Sequence, residues 1–202
     1  MIVVELTHDL VCPWCRIGHH RLREAIARSD KAVRIDYRPF QLEPSTPPEG
    51  FDLRERLASK YGAASLDSMF ARVTAIGKQD GLVFDFAKVT RHPSTLLAHM
   101  MVDAAPIDQK SAVVDALHQA YFVDGKDIGA AKVLREVLPG AWVDAVFDDE
   151  HRRAMVEKAA RAASQSGIGG VPHFVFNGPS GKPITLHGAQ PQAEVLAALA
   201  RV

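Results

Sequence analysis

Apolar positions change their spacing twice within the first 38 residues. Residues 2–7 form a short, β-branched apolar run, which predicts a buried strand. From Cys12 to about Ser29, apolar side chains recur on one face of a helix, and Pro13 suits its first turn because the N–H that proline lacks has no partner there. Residues 33–38 alternate apolar with polar side chains, which predicts a second strand. The order predicts a βαβ unit with parallel strands and a right-handed crossover.

The middle of the chain has helical spacing almost throughout. Prolines and a glycine mark an irregular linker that ends near Gly50. Apolar stripes spaced three and four residues apart then predict about five helices in residues 50–149. Gly81 begins a turn or extended piece that carries Phe84 and Phe86. No internal repeat or low-complexity segment interrupts this pattern.

The C-terminal pattern returns to strands. Residues 150–166 predict a long helix that ends at Gly167. Its predicted apolar face consists of Met155, Val156, Ala159, Ala160 and Ala163. Residues 174–176 and 184–187 predict an antiparallel hairpin whose turn spans residues 177–181, and Pro191 is expected as the first residue of a last helix.

A βαβ half followed by a ββα half predicts a specific fold class. The class is α/β, with a thioredoxin-like mixed sheet and an all-helical insertion. Residues 1–49 and 150–202 are predicted to form the thioredoxin-like domain, which is discontinuous in sequence. Residues 50–149 are predicted to form the helical insertion subdomain.

Composition narrows the classes of function. Hydrophobic residues make up 47% and charged residues 24% of the 202 residues, which is typical of a packed globular protein. Lys plus Arg equals Asp plus Glu at 24 each, which argues against a nucleic-acid surface or a polybasic membrane patch. No stretch approaches the roughly 20 apolar residues of a membrane span. The N-terminus lacks a basic start followed by an apolar run, so we expect no secretory signal and a cytoplasmic location.

The only two cysteines stand at Cys12 and Cys15, around Pro13 and Trp14. A Cys-x-x-Cys pair between a strand and a helix is typical of a redox site, and in the cytosol a catalytic pair is favoured over a structural disulfide. A helix N-terminus stabilises a thiolate, so Cys12 is predicted to be the partly exposed nucleophile. Cys15, one turn further into the helix, is predicted to be the enclosed resolving thiol. Pro13 stiffens the motif, and Trp14 offers an aromatic surface to substrate without adding charge.

Other residues near the motif keep alternatives open. Val171-Pro172, after two glycines, is a candidate substrate-contact loop, although a trans bond is the more common state of such a pair. Zinc sites usually need four Cys or His ligands, and His19 and His20 are expected to point away from Cys12, so no metal site is predicted. His8 either stabilises a thiolate or simply ends the first strand. His173 lies beside Pro172 and is not expected to be catalytic.

Several motifs together resemble one known family. They are Cys12-Pro13-Trp14-Cys15-Arg16-Ile17-Gly18, Arg38-Pro39-Phe40-Gln41-Leu42, Ala120-Tyr121-Phe122, Asp127-Ile128-Gly129, Gly170-Val171-Pro172-His173-Phe174 and Gly188-Ala189-Gln190-Pro191. This set resembles the DsbA-like thioredoxin family, specifically its FrnE-like branch. The resemblance implies a thioredoxin fold with an all-helical insertion, a cis Pro172 and thiol–disulfide oxidoreductase activity. Ser94-Thr95 stands where the resemblance leads us to expect Asn-Thr, which affects any substrate contact made there.

The sequence therefore predicts a cytosolic thiol–disulfide oxidoreductase. Cys12 and Cys15 are its predicted catalytic residues, and Pro13, Trp14, Val171 and Pro172 are its predicted substrate-binding residues. The expected substrate is a protein or small-molecule thiol or disulfide, with glutathione or thioredoxin as redox partner and with no metal or organic cofactor. The chain is expected to be a monomer or homodimer that binds neither nucleic acid nor membrane.

Two other functions remain open on the sequence. One is a glutathione-dependent isomerase or transferase on the same scaffold, similar to 2-hydroxychromene-2-carboxylate isomerase. Such enzymes typically do without the cysteine pair, so its presence argues against this alternative. The other is a non-catalytic, chaperone-like binding module that uses the apolar surface of the insertion.

Overall fold

The fold is taken from a computed structural model that describes residues 1–179 and 181–202. The elements of the first compact unit, together with α8, are β1 (Ile2–His8), α1 (Pro13–Ala27), β2 (Val33–Pro39), α8 (Glu150–Gln165), β5 (His173–Asn177), β6 (Ile184–His187) and α9 (Gln192–Arg201). The elements of the second unit are β3 (Phe51–Asp52), α2 (Leu53–Tyr61), a 3₁₀ turn (Ala63–Ser65), α3 (Leu66–Gln79), β4 (Arg91–His92), α4 (Leu96–Ala104), α5 (Lys110–Phe122), α6 (Ala131–Val137) and α7 (Trp142–Phe147). Ser180, in the predicted hairpin turn, lies outside the described residues.

Two compact units divide the chain. The first comprises Met1–Phe40 with Lys158–Val202, and the second comprises Gln41–Glu157. The division into domains that the sequence predicted, residues 1–49 with 150–202 and residues 50–149, stays a prediction. None of the helices in residues 1–179 and 181–202 is long and apolar enough to cross a membrane.

The first unit contains a four-stranded sheet in the order β2-β1-β5-β6. β1 runs parallel to β2, with Ile2 opposite Val33, and antiparallel to β5, with Leu6 opposite Phe174. β6 pairs antiparallel with β5 and forms one edge. The mixed thioredoxin-like sheet predicted from the βαβ and ββα halves is confirmed.

One face of this sheet is buried under α1 and α9. Alternate residues of β1 and β5, including Leu6, Phe174 and Phe176, are at most 1% exposed. They belong to the same core cluster as Leu22 of α1 and Leu199 of α9. Fully burying one such side chain stabilises the fold by about 1.5–3 kcal/mol. This core holds α1, and therefore the cysteine pair at its N-terminus, against the sheet.

The second unit is largely helical, as predicted, but it also contains a short ladder. Phe51 pairs with His92 and Asp52 with Arg91 in the antiparallel pair β3–β4. Two-residue strands are too short to show an alternating pattern, so the sequence predicted helices alone. Within residues 41–157, all described, the α-helices α2–α7 lie complete, one more than predicted, because the six-residue α7 is too short to show a periodic stripe.

Two local expectations about helices are wrong. In α8, Val156 and Ala160 are buried, whereas Met155 is 53% exposed, so the apolar stripe is narrower than predicted. Residues four apart share one face of a helix, and Met155 lies off that line. Pro191 is the N-cap of α9 and not its first helical residue, because its ψ of 148° is extended.

Candidate active site

Cys12 caps the N-terminus of α1. Its backbone is extended, with φ −88° and ψ 113°, and Pro13 follows as the first helical residue. The Cys12 carbonyl accepts hydrogen bonds from the N–H groups of Cys15 (3.0 Å) and Arg16 (3.2 Å). The Cys12 Sγ also accepts from the Cys15 N–H at 3.4 Å. The sulfur therefore lies at the positive end of a 15-residue helix, where a thiolate is favoured.

Cys15 lies one helical turn beyond Cys12 and is fully enclosed. Its exposure is 0%, and both cysteines are free thiols. Burial raises the pKa of the Cys15 thiol well above its ordinary value, and the hydrogen bond with Cys12 and the Cys12 charge raise it further. Cys15 is therefore held as a protonated thiol at neutral pH.

Cys12 is more buried than the sequence led us to expect. Its exposure is 4%, where a partly exposed sulfur was predicted. The thiol is turned toward the loop before β5 and donates a long hydrogen bond to the Val171 carbonyl at 3.7 Å. This contact joins residues 159 positions apart, so local spacing does not reveal it.

The loop that covers Cys12 contains a cis peptide bond between Val171 and Pro172, as the family resemblance implied. Gly188, the residue after β6, holds this loop in place, because its N–H donates to the Pro172 carbonyl at 2.8 Å. Arg21 of α1 hydrogen-bonds to the segment after Gly188. Its guanidinium donates to the carbonyls of Ala189 (2.8 Å) and Gln190 (3.3 Å). The structure thus brings the Cys12 sulfur to the Val171 carbonyl, which directly precedes Pro172.

Sequence reasoning missed the part that Gly18 plays in this arrangement. A Cβ at Gly18 would lie 2.8 Å from the Pro172 Cγ and 3.1 Å from the Phe174 Cζ. Helix α1 therefore approaches the Pro172 loop more closely than any side chain allows. The available signal was a glycine inside a helical pattern, which costs about 1 kcal/mol relative to alanine and needs a packing reason.

The other predicted substrate-binding residues border the cysteines. Pro13 and Trp14 form the first turn of α1, and each is half-buried. Ser94, the position that departs from the expected Asn-Thr, directly precedes Thr95, the N-cap of α4 in the second unit.

His8 and His19, the histidines near the motif, both contact Tyr37 of β2. His19 Nε2 and the Tyr37 hydroxyl share a hydrogen bond of 2.8 Å, and the His8 ring meets the edge of the Tyr37 ring at 5.3 Å. Burial lowers the pKa of His19 to about 3, and the charges of Arg23 and His20 lower it further. His19 is therefore neutral at physiological pH. Within residues 1–179 and 181–202, no group of three or more His, Cys, Asp or Glu side chains is placed to hold a metal ion.

Comparison with known proteins places this geometry in a family. The model of the DSBA-like thioredoxin domain matches residues 3–200. The chain belongs to this family. A thiol–disulfide enzyme needs two close thiols, and in this chain Cys12 and Cys15 lie one helical turn apart.

Three relatives illustrate the likeness. A probable DsbA oxidoreductase from Streptomyces coelicolor is 27% identical, with all of this chain and 89% of that chain covered and a TM-score of 0.83. The uncharacterized protein YwbO of Bacillus subtilis is 24% identical, with 90% of this chain and 92% of YwbO covered. The cytosolic disulfide reductase DsbM of Pseudomonas aeruginosa, solved with GSH, is 20% identical, covers 98% and 97% of the two chains and has a TM-score of 0.61, which shows a shared fold.

Proposed function

We propose that this member of the DsbA-like family is a thiol–disulfide oxidoreductase of the FrnE-like branch. Cys12 is the nucleophile and Cys15 the resolving thiol. The observation that carries this assignment is the position of the Cys12 sulfur. It receives the Cys15 N–H at the start of α1 and lies 3.7 Å from the carbonyl that precedes cis Pro172.

The two sulfurs differ in the way that stepwise exchange requires. The thiolate is the attacking form of a cysteine, and the N-terminus of α1 favours it at Cys12. Cys15 keeps its proton because burial raises its pKa, so it does not compete for the substrate. Its main-chain N–H already contacts the Cys12 sulfur, and one helical turn is short enough for a disulfide to close.

In the reducing direction, the Cys12 thiolate attacks one sulfur of a substrate disulfide. A mixed disulfide forms, and the other substrate sulfur leaves as a thiolate. Cys15 then loses its proton and attacks the Cys12 sulfur, which releases the second substrate thiolate. The substrate gains two electrons, and the protein is left with a Cys12–Cys15 disulfide. A thiol partner, glutathione or thioredoxin, reduces that disulfide by the same two exchanges, and an oxidase follows the steps in reverse.

The Val171–Pro172 loop is the proposed contact for the substrate chain. The Val171 carbonyl accepts a hydrogen bond from the Cys12 thiol in the free protein. When the mixed disulfide forms, a main-chain N–H of the substrate would donate to this carbonyl instead. Pro13 and Trp14 offer apolar surface beside the sulfur. The supporting observation is that both segments are held by main-chain hydrogen bonds and by the packing of Gly18.

The setting of the activity is part of the proposal. We propose a cytosolic location and glutathione as redox partner, supported by the likeness to DsbM, a cytosolic disulfide reductase solved with GSH. No metal or organic cofactor takes part in the proposed exchange. Protein and small-molecule disulfides are both candidate substrates.

The test compares two cysteine variants in a disulfide-exchange assay with insulin and with a dithiol peptide. Cys12→Ser is expected to abolish exchange. Cys15→Ser is expected to stop turnover but to accumulate a mixed disulfide with substrate, which mass spectrometry detects. The two variants differ only in which sulfur is removed, so each serves as the control for the other.

Retained activity in Cys12→Ser would refute the assignment. Glutathione-dependent isomerisation that persists without Cys15 would favour the isomerase or transferase alternative. Suppression of aggregation that is independent of both cysteines would favour the binding module. The reduction potential of the Cys12–Cys15 pair gives the direction of electron flow. A value within or below the cytosolic range of about −220 to −320 mV indicates a reductase, and a clearly higher value indicates an oxidase or isomerase.

A further inference from the structure

His173 and His187 face each other across the last two strands of the sheet. They are direct partners in the antiparallel β5–β6 register. Their side chains project from the face opposite Phe174 and Leu186, because side chains alternate along a strand. His187 is exposed and His173 is half-buried, at an edge of the sheet that solvent reaches. The proposed exchange mechanism uses neither imidazole.

The separation of the two rings matches that of imidazoles which share a metal ion. Their centroids are 4.7 Å apart, and their planes are inclined at 60°. A metal–nitrogen bond of about 2.0–2.1 Å, plus about 1.1 Å from nitrogen to ring centre, puts each centroid about 3.2 Å from the ion. Ligand angles of about 90–109° then separate the centroids by about 4.5–5.2 Å. The observed spacing falls inside this interval.

The backbone positions of the pair also suit a shared ion. Both strands are fixed in the sheet, which means that little conformational freedom is lost when the two rings bind one ion.

The neighbouring polar groups on this face have other partners. Thr7 of β1 is the register partner of His173, and it carries no charge. Glu5, the acidic residue of β1 on the same face, accepts from Arg38 at 3.1 Å and from Asn177 at 3.3 Å. No group of three His, Cys, Asp or Glu ligands occurs among the described residues, so an ion held here would have two protein ligands.

We propose that His173 and His187 form a two-imidazole site for a divalent transition-metal ion of the Zn²⁺, Ni²⁺ and Cu²⁺ group. Imidazole suits these ions, whereas Mg²⁺ and Ca²⁺ prefer oxygen ligands. His173 directly follows Pro172, and His187 directly precedes Gly188, whose N–H holds the Pro172 carbonyl. A bound ion would therefore join the two strand ends that support the cis-proline loop.

The test is calorimetric titration of the tag-free chain with Ni²⁺. Cys12 and Cys15 are both replaced by serine in every sample, so that no thiolate competes for the ion. One ion is expected to bind per chain. In that background, His187→Asn and His173→Asn are each expected to weaken binding by about 100-fold, because one ligand is left and the advantage of two linked ligands is lost.

The matched control is His151→Asn, which removes an exposed histidine from α8 and is expected to leave the affinity unchanged. His187→Asn is the decisive variant, because an exposed polar residue replaces another and the fold, checked by circular dichroism, is expected to persist. Affinity that is the same with and without His187, or that falls equally in His151→Asn, would overturn the site. The result does not depend on redox activity.

Discussion

The two faces of the four-stranded sheet differ in polarity, although the same strands form both. Leu6, Phe174 and Phe176 point to one face, where they are buried beneath α1 and α9. Glu5, His173 and Val175 point to the other face, where polar pairs dominate. The apolar face holds α1, whose N-terminus Cys12 caps, so it positions the cysteine site. On the polar face, Glu5, His173 and Val175 are each half-buried.

The largest difference between the two faces is expected when one apolar side chain is removed from each. Phe174→Ala is expected to lower the free energy of unfolding by about 3–5 kcal/mol, because it leaves a cavity in the core. Val175→Ala, the next residue on the opposite face, is expected to cost less than about 1.5 kcal/mol, because this side chain is only half-buried. Urea denaturation measures both changes. Equal losses would show that the two faces carry similar weight.

The buried His19 of α1 is expected to make the free energy of unfolding depend on pH. The pKa of His19 is about 3 in the folded chain and about 6.5 when unfolded, so between these values the unfolded state binds more protons. Stability is therefore fully present above pH 6.5 and is lost as the pH falls toward 3. This residue alone is expected to cost about 2 kcal/mol between pH 7 and pH 5.

The measurement is urea unfolding at pH 7, 6 and 5 for the wild-type chain and for His19→Gln. The variant is expected to show a shallower loss across this range, because glutamine does not titrate. His151→Gln, at an exposed position on α8, is the control and is expected to follow the wild-type curve. Identical slopes in all three chains would contradict a neutral, buried His19.

Gly18→Ala sharpens the link between the apolar face and the cysteine site. The added Cβ would overlap the Pro172 ring at 2.8 Å, which costs about 1–3 kcal/mol, while the better helix propensity of alanine returns about 1 kcal/mol. We expect a net loss of stability of about 1 kcal/mol. We also expect a change in the Cys12–Cys15 reduction potential, because the Pro172 loop must move away from Cys12.

Two measurements separate these effects: unfolding in urea, and equilibration of the pair in glutathione buffers. Ala25→Gly is a useful counterpart, since Ala25 is a buried core residue about two helical turns beyond Gly18 on the same helix. It is expected to lower stability and to leave the potential unchanged. A Gly18→Ala chain with an unaltered potential would show that the close approach serves packing alone.

The smallest effect is expected from the ion pair between Arg38 and Glu5 on the polar face. The two side chains are 3.1 Å apart and remain 53% and 37% exposed. Exposed pairs of this kind contribute little, so Arg38→Ala is expected to change the free energy of unfolding by less than about 1 kcal/mol. The same experiment at high salt should show almost no difference between the chains. A larger loss would show that this ion pair contributes more to the free energy of unfolding than its exposure implies.

Sequence predicted the elements whose evidence is local. The alternation in residues 33–38, the apolar run of β1 and the spacing after Cys12 each lie within one element, so period alone identified them. The position of Cys12 before α1 followed from a proline that suits the first turn of a helix. The short pair β3–β4 and the six-residue α7 were missed because neither is long enough to show a period.

Contacts between distant residues were decided only by the tertiary structure. The Cys12 sulfur meets the carbonyl of Val171, which lies 159 positions away, and the role of Gly18 depends on Pro172. The pairing of His173 with His187 depends on the register of a hairpin, which a shift of one residue would abolish. Local pattern determines which way a side chain points along its own element, but only the packing of elements determines what that side chain meets.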